Sequence, residues 1–175
     1  MRSRLSKPFW NKAAVFILHM TLQKDIREFV ELLLSENVEF LLVGGYALAL
    51  HGVPRFTEDI DFLVLSSAEN AARIMQVLDG FGFGGLDVSE ADFQRPSFVI
   101  QLGMAPNRID LLTGIDGVSW EEAWASREPV ALDGLEVMMI GREALIRNKR
   151  ATGRTQDLAD VERLELGSTS RSHDL

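Results

Sequence analysis

Residues 39–65 read EFLLVGGYALALHGVPRFTEDIDFLVL, and this stretch decides the fold. An apolar run at 40–43 stops at Gly44-Gly45 and small apolar residues follow, which predicts a buried strand that turns tightly into a helix. Unpaired N–H groups and the positive end of the helix dipole meet at such a helix start, so the pattern favours phosphate there. Taken alone, the glycine pair is more typical of a plain turn, and it is the combination with the residues that follow that favours phosphate.

Two aspartates follow the glycine pair after a spacer of thirteen residues. Asp59 and Asp61 alternate along a predicted strand, so their carboxylates share one face while Ile60 faces the core. Two carboxylates at that separation repel each other unless a cation lies between them. Mg²⁺ takes carboxylate oxygens and completes its shell with water and phosphate, so the pair predicts a Mg²⁺ site. The alternative is a solvated strand end.

The glycine pair, the spacer and the run RFTEDID at 55–61 resemble the signature of the DNA polymerase β-type nucleotidyltransferase superfamily. The arrangement of arginine, threonine and two aspartates is most similar to its small bacterial members, the AbiEii-like group. The resemblance implies that Gly44 and Gly45 hold a nucleoside triphosphate and that the aspartates bind Mg²⁺, or Mn²⁺ in its place. It gives Arg55 and Thr57 a supporting role in nucleotide binding. The superfamily's commoner Gly-Ser pair is Gly-Gly here, so a serine hydroxyl contact to phosphate is missing.

Asp110 interrupts an apolar strand predicted at 107–112, after a strand at 97–103 and a turn at Ala105-Pro106. A buried carboxylate without a partner is unfavourable, so something must compensate it. A salt bridge to Arg108 or a strand-edge position would do so. The resemblance implies instead that Asp110 is the third metal-binding and catalytic aspartate.

The segment 140–165 is predicted to form two helices that join near Gly153. It too resembles the AbiEii-like group, in which a helical lysine is followed by an arginine and aspartates. Four residues match that pattern: Lys149 and Arg154 as nucleotide-binding cations, and Asp157 and Asp160 as carboxylates that orient them. From charge patterning alone, an exposed and salt-bridged helix pair fits as well.

The composition argues against a membrane partner and against a broad surface for nucleic acid. The chain has 175 residues, 46% of them hydrophobic, no cysteine and no apolar run long enough to span a bilayer, so we expect a cytoplasmic protein without a membrane partner. A net charge of −8 argues against a broad basic face for nucleic acid. A polynucleotide would have to bind locally, and the basic candidates are residues 142–154 and the N-terminal segment.

Three segments are predicted. Residues 1–19 form a basic arm, disordered or the product of an upstream start, because Met20 opens a plausible chain start. Residues 20–166 form one domain, and the polar tail at 167–175 is expected to be disordered.

We therefore expect an α/β nucleotidyltransferase-like fold, a small mixed β-sheet flanked by helices and closed by a C-terminal helical pair. The resemblance implies transfer of a nucleotide from an NTP to an acceptor hydroxyl on a tRNA, a small molecule or a protein. A toxin role with an antitoxin partner is one branch of it. Two alternatives stay open, a catalytically silent domain that binds nucleotide or a partner, and a scaffold with a fortuitous carboxylate pair.

Overall fold

The computed structural model describes residues 22–169, without the side chains of 168 and 169. Residues 1–21 and 170–175, and with them the predicted arm, lie outside this range. In chain order the elements are α1 (Lys24–Ser35), β1 (Phe40–Val43), α2 (Gly44–Leu50), β2 (Asp59–Val64), α3 (Ala68–Gly80), a 3₁₀ turn (Asp92–Gln94), β3 (Val99–Leu102), β4 (Arg108–Leu112), α4 (Trp120–Ala125), β5 (Glu128–Leu132), β6 (Leu135–Met139), α5 (Arg142–Thr152) and α6 (Thr155–Thr169).

The strands form one mixed sheet in the order β3-β4-β2-β1-β6-β5. The central pair β1–β2 is antiparallel, each of these strands has a parallel neighbour on its other side, and the outer hairpins are antiparallel. The predicted mixed sheet is confirmed, with strand ends that differ by one or two residues. The hairpin β5–β6 joins the same sheet by pairing Met139 with Leu42, which extends it beyond the four strands expected.

Amphipathic helices cover the sheet because their apolar residues recur at helical spacing. In α1 the buried residues Ile26, Phe29, Val30 and Leu33 follow the pattern i, i+3, i+4, i+7. The Phe29 ring meets Phe81 edge-on at 5.1 Å between centroids, just beyond the end of α3. Each such side chain contributes about 1.5–3 kcal/mol by burial. The helix begins after Gln23, whose side chain makes no capping hydrogen bond.

Capping residues and one glycine set the ends of three other helices. The Ser67 side chain accepts a hydrogen bond from the Asn70 N–H at the start of α3, and Ser119 forms a capping box with Glu122 at the start of α4. Gly153, at φ 65°, ends α5 in the left-handed region. Helix α6 continues to Thr169, three residues beyond the domain end predicted at 166. Within residues 22–169, no helix is long and apolar enough to cross a membrane.

Strand register positions the polar residues. Asp61 of β2 lies opposite Val43 of β1 on one side and opposite Asp110 of β4 on the other. Asp59 lies opposite Arg108 in the same way. Paired residues on neighbouring strands project from the same face of the sheet, so this register alone brings the aspartates to one place beside the β1–α2 turn.

Candidate active site

Three carboxylates converge where β2 and β4 run side by side. Asp59, Asp61 and Asp110 each offer an oxygen, and the three oxygens lie within 4.8 Å of one another. Asp110 is buried, whereas Asp59 and Asp61 are partly exposed. The structure therefore brings together the three aspartates that the sequence analysis assigned to one site.

The site carries an excess of negative charge. Burial first, and then the charges of Asp59 and Asp110, raise the pKa of Asp61 to about 6, although a hydrogen bond from the Gly45 N–H and the charge of Arg108 act in the opposite direction. A hard divalent cation coordinated by these oxygens would remove the repulsion that raises this pKa. The donor set, all oxygen and all anionic, fits Mg²⁺ or Mn²⁺.

Arg108 is the site residue whose importance sequence reasoning missed. Its Nε donates to Asp110 Oδ1 at 2.9 Å, its Nη2 donates to Asp110 Oδ2 at 3.3 Å, and the same Nη2 also bonds Asp59. The sequence analysis considered Arg108 only as an alternative partner for Asp110. Its place two residues before Asp110 on one strand was the available signal, because alternate residues share a face.

The glycine pair packs directly on the aspartate strand. Gly44 has φ 63°, and a Cβ there would lie 1.9 Å from Asp61 Oδ2. A Cβ on Gly45 would lie 2.8 Å from Thr57 Oγ1, whose hydroxyl donates to Asp59 Oδ1 at 2.6 Å. The Thr57 side chain thus fills the space that a serine at 45 would need, which explains why the commoner Gly-Ser pair is Gly-Gly here.

A second charged cluster lies between α5 and α6. The Lys149 ammonium, on a residue only 4% exposed, donates to Asp157 Oδ1 at 2.8 Å and Asp160 Oδ2 at 2.9 Å. Thr152 donates to Asp157, and Arg55 Nε lies 3.3 Å from Asp160 Oδ2. Asp157 and Asp160 both accept hydrogen bonds from Lys149, and Asp160 also faces Arg55. Their role in orienting these cations for a nucleotide stays a prediction. Contact of Lys149 with a phosphate stays a prediction, since its ammonium bonds both aspartates here.

Both clusters open on one cleft of about 510 Å³. Of the predicted site residues, only Thr57 and Asp160 are not part of its lining. The wall also includes residues that the sequence analysis did not assign, just before and on β3, on β4 and in the segment after it: Ser97, Val99, Gln101, Arg108, Leu112, Gly114, Ile115 and Asp116. These residues are scattered between positions 97 and 116, and only the folded sheet brings them to the cleft.

Comparison with known families gives a match over nearly the whole described chain. Residues 20–170 match the family described as nucleotidyltransferase of unknown function (DUF6036). The chain belongs to this nucleotidyltransferase family. No curated protein sequence matches the chain.

Solved structures share the fold of this DUF6036 nucleotidyltransferase. A candidate nucleotidyltransferase from Thermotoga maritima is 18% identical with a TM-score of 0.52, covering 89% of this chain and 96% of its own. The adenylyltransferase ANT(2″)-Ia, in complex with adenylyl-2″-tobramycin, is 17% identical with a TM-score of 0.52, covering 82% and 87%. Lincomycin-bound LnuA, a lincosamide adenylyltransferase, is 12% identical with a TM-score of 0.50, covering 84% and 98%. At these identities the likeness establishes the fold.

The local basic segment of this DUF6036 member does not form an open basic face. Arg142 donates to the Leu164 carbonyl, Arg147 pairs with Glu122 and Arg150 pairs with Glu165. Lys149 is buried, and Arg154 lines the cleft. The segment therefore uses most of its cations in contacts within the chain, and its role as a local surface for a polynucleotide stays a prediction.

Proposed function

We propose that this protein transfers a nucleotide from an NTP to the hydroxyl of an acceptor, in a reaction that needs a divalent cation. The convergence of Asp59, Asp61 and Asp110 in the cleft carries the proposal. Three acidic oxygens this close are unfavourable without a cation, and their cleft also has glycine backbone and cationic side chains in its wall. A triphosphate needs these groups, because carboxylates hold its metal ion while backbone N–H groups and cations bind its phosphate oxygens.

In this proposal the three aspartates hold Mg²⁺ or Mn²⁺, which when bound would neutralise negative charge on the phosphates. Asp110 accepts the proton of the acceptor hydroxyl as that oxygen attacks the α-phosphorus and pyrophosphate leaves. Thr57 fixes the rotamer of Asp59 through its 2.6 Å hydrogen bond. The protein's work is mainly to position the reactants and to offset charge.

The nucleotide lies, in this proposal, along the wall that carries Gly44, Gly45, Arg55 and Arg154. The glycines have no side chain that would keep the backbone away from the phosphates. A side chain at either position would also collide with Asp61 or Thr57. Arg55 and Arg154 supply positive charge. Lys149, held by Asp157 and Asp160, keeps α5 and α6 in register beside them and adds its charge to this wall.

Among the three acceptor classes implied by the resemblance, a small molecule is the one we favour. A tRNA needs many phosphate contacts, whereas the arginines at 142, 147 and 150 are engaged within the chain. Protein acceptors, and an AbiEii-like toxin role with an antitoxin partner, remain the further branches of the proposal.

The test is incubation of the purified protein with each of four α-labelled NTPs, with and without Mg²⁺, against panels of small hydroxyl compounds, tRNA and protein. We expect label to move to an acceptor only when a divalent cation is present. Label transfer that persists in excess chelator would contradict the proposal.

The second candidate function is a catalytically silent nucleotide-binding domain, favoured by the direct bonding of Arg108 to two of the three carboxylates. Thermal unfolding separates the candidates. A working site predicts stabilisation by NTP that depends on Mg²⁺, whereas silent binding predicts stabilisation by NTP that is indifferent to metal. No stabilisation by any NTP would leave only a scaffold domain.

A further inference from the structure

Arg108 already occupies two of the three carboxylates with positive charge. Its guanidinium spans from Asp110, where it bonds both oxygens at 2.9 and 3.3 Å, to Asp59. Gln101 Nε2 adds a further hydrogen bond to Asp110 Oδ2 at 3.1 Å. Both oxygens of Asp110 and one oxygen of Asp59 therefore accept charge-assisted hydrogen bonds from one cation of the chain itself.

These bonds oppose metal binding in two ways. An oxygen that accepts a hydrogen bond from a guanidinium has a lone pair directed at nitrogen rather than at a metal. In addition, a full positive charge a few ångströms away repels a dication, and at the effective dielectric constant of a partly buried site this repulsion is substantial. Asp61 receives no hydrogen bond from Arg108 in the described structure and accepts one only from the neutral Gly45 N–H among the groups that shift its pKa, so it is the carboxylate that Arg108 leaves available.

We propose that Arg108 is a built-in counter-cation that competes with the divalent metal for Asp59 and Asp110, so the metal binds fully only when the guanidinium moves away. The inference rests on the metal site of the proposed function. The Arg108 side chain is 30% exposed and lies in the cleft wall, so it can turn toward open space without disturbing the core. Arg108 is thus a positioning residue that lowers the affinity of the free protein for metal.

A purely structural role is the alternative, in which Arg108 ties β4 to β2. The two strands are already joined by five paired positions, from Asp59 with Arg108 to Leu63 with Leu112, and most of those residues are apolar. If Arg108 only links the two strands, its replacement should lower the free energy of unfolding by the same amount with and without metal. Competition predicts a change in metal affinity, and the two roles therefore differ in a measurable quantity.

The experiment measures Mn²⁺ and Mg²⁺ binding by isothermal titration calorimetry, without nucleotide, for the wild type, Arg108→Gln and Arg108→Lys. Glutamine removes the charge and keeps a polar side chain, and lysine keeps the charge but cannot span both carboxylates. We expect the Gln variant to bind metal about tenfold more tightly or better, with the Lys variant in between. Metal should also raise the Tm of the Gln variant by more than it raises the Tm of the wild type.

Controls assign the effect to the site. Arg147→Gln removes an exposed arginine paired with Glu122 and should leave metal affinity unchanged. Adding Asp61→Asn to Arg108→Gln should abolish the gain, because the metal then loses its free carboxylate. Circular dichroism checks folding, and if the Gln variant does not fold, the Lys variant is judged by the same criterion.

Equal or weaker metal affinity in the folded Arg108 variant overturns this inference while leaving the proposed function intact. Absence of metal binding in the wild type and in both variants would overturn the proposed function as well. The two failures are therefore distinguishable in one series of titrations.

Discussion

Two charged clusters face the same cleft, and they differ in their balance of charge. The aspartate cluster (Asp59, Asp61 and Asp110) has three carboxylates against the single cation Arg108. The helix cluster (Lys149, Arg55, Asp157 and Asp160) has two cations for two carboxylates. The carboxyl pKa values differ as well. Burial, and then the charges of Asp59 and Asp110, raise the pKa of Asp61 to about 6, whereas the bonds and charges around Asp157 outweigh its burial and lower its pKa.

The two clusters differ in whether their charges are balanced within the chain. In the helix cluster the positive and negative charges balance, and the bonds of Lys149 to Asp157 and Asp160 hold α5 against α6 without any added ligand. The aspartate cluster is under-compensated, and that imbalance is the physical basis for expecting a bound cation. If this distinction holds, variants of the helix cluster should lose stability and variants of the aspartate cluster should lose activity.

The largest expected effect is on transfer. Asp59→Asn or Asp61→Asn should lower nucleotide transfer by about 10³-fold or more, because each removes a charged ligand of the proposed metal ion. The same change should leave the Tm equal or slightly higher, since it relieves repulsion among carboxylates. Asp87→Asn, on an exposed loop, is the matched control and should keep full activity. Retained transfer of label by either site variant would remove the aspartate cluster from the chemistry.

A large loss of stability is expected at the helix cluster. Lys149→Met leaves Asp157 and Asp160 buried without their shared cation and should lower the free energy of unfolding by about 3–5 kcal/mol. Arg150→Met, one residue along the same helix, removes an exposed pair with Glu165 and should lower it by less than about 1 kcal/mol. Urea denaturation of both variants measures the contrast, and similar losses would show that burial of the lysine is not decisive.

A smaller loss of stability is expected at Gly44, which packs against Asp61 of the aspartate cluster. Gly44→Ala pays for a left-handed φ of 63° and also places a methyl group 1.9 Å from Asp61 Oδ2. We expect a loss of about 2–3 kcal/mol together with loss of transfer. Gly134→Ala has φ 80° and no atom within 4 Å of its Cβ, so it carries the φ strain alone, about 1 kcal/mol, and keeps activity. Equal losses in the two variants would show that the contact with Asp61 is unimportant.

The smallest effect concerns pH. Burial raises the pKa of Asp157, but hydrogen bonds from Lys149 and Thr152 and the charges of Lys149 and Arg154 outweigh it, so the pKa lies below its usual value. A lowered carboxyl pKa stabilises the fold above the unfolded-state value of about 3.9 and loses this contribution as the pH falls through the folded-state value. The difference in unfolding free energy between wild type and Asp157→Asn should therefore shrink below about pH 4. A difference that stays constant from pH 7 to pH 3 would argue against this account.

Much of the fold could be predicted because its signals are local. The four strands and the helix pair follow from apolar periodicity, and the ends of α3, α4 and α5 follow from Ser67, Ser119 and Gly153. The attachment of β5–β6 could not be predicted, since it depends on a pairing of Met139 with Leu42 across almost a hundred residues. Hydrophobic pattern identifies a strand, but it does not say which neighbour that strand takes.

The site divides in the same way. Period-two alternation puts Asp59 and Asp61 on one face, but the proximity of Asp110 could be expected only from the resemblance until the register of β2 with β4 was known. Three other features could not be predicted from the sequence: the bonding of Arg108 to both Asp59 and Asp110, the burial of Lys149, and the packing of Thr57 against Gly45. Each depends on atoms brought together by folding.

By itself, the sequence determined the alternation of helix and strand, the identity of the acidic and glycine residues, and the face that each presents, because these properties depend on spacing over a few residues. The tertiary structure decided which charges are compensated and which are left in excess. Coulomb interactions and desolvation depend on distances between side chains far apart in the chain, and only the packed sheet and helices fix those distances.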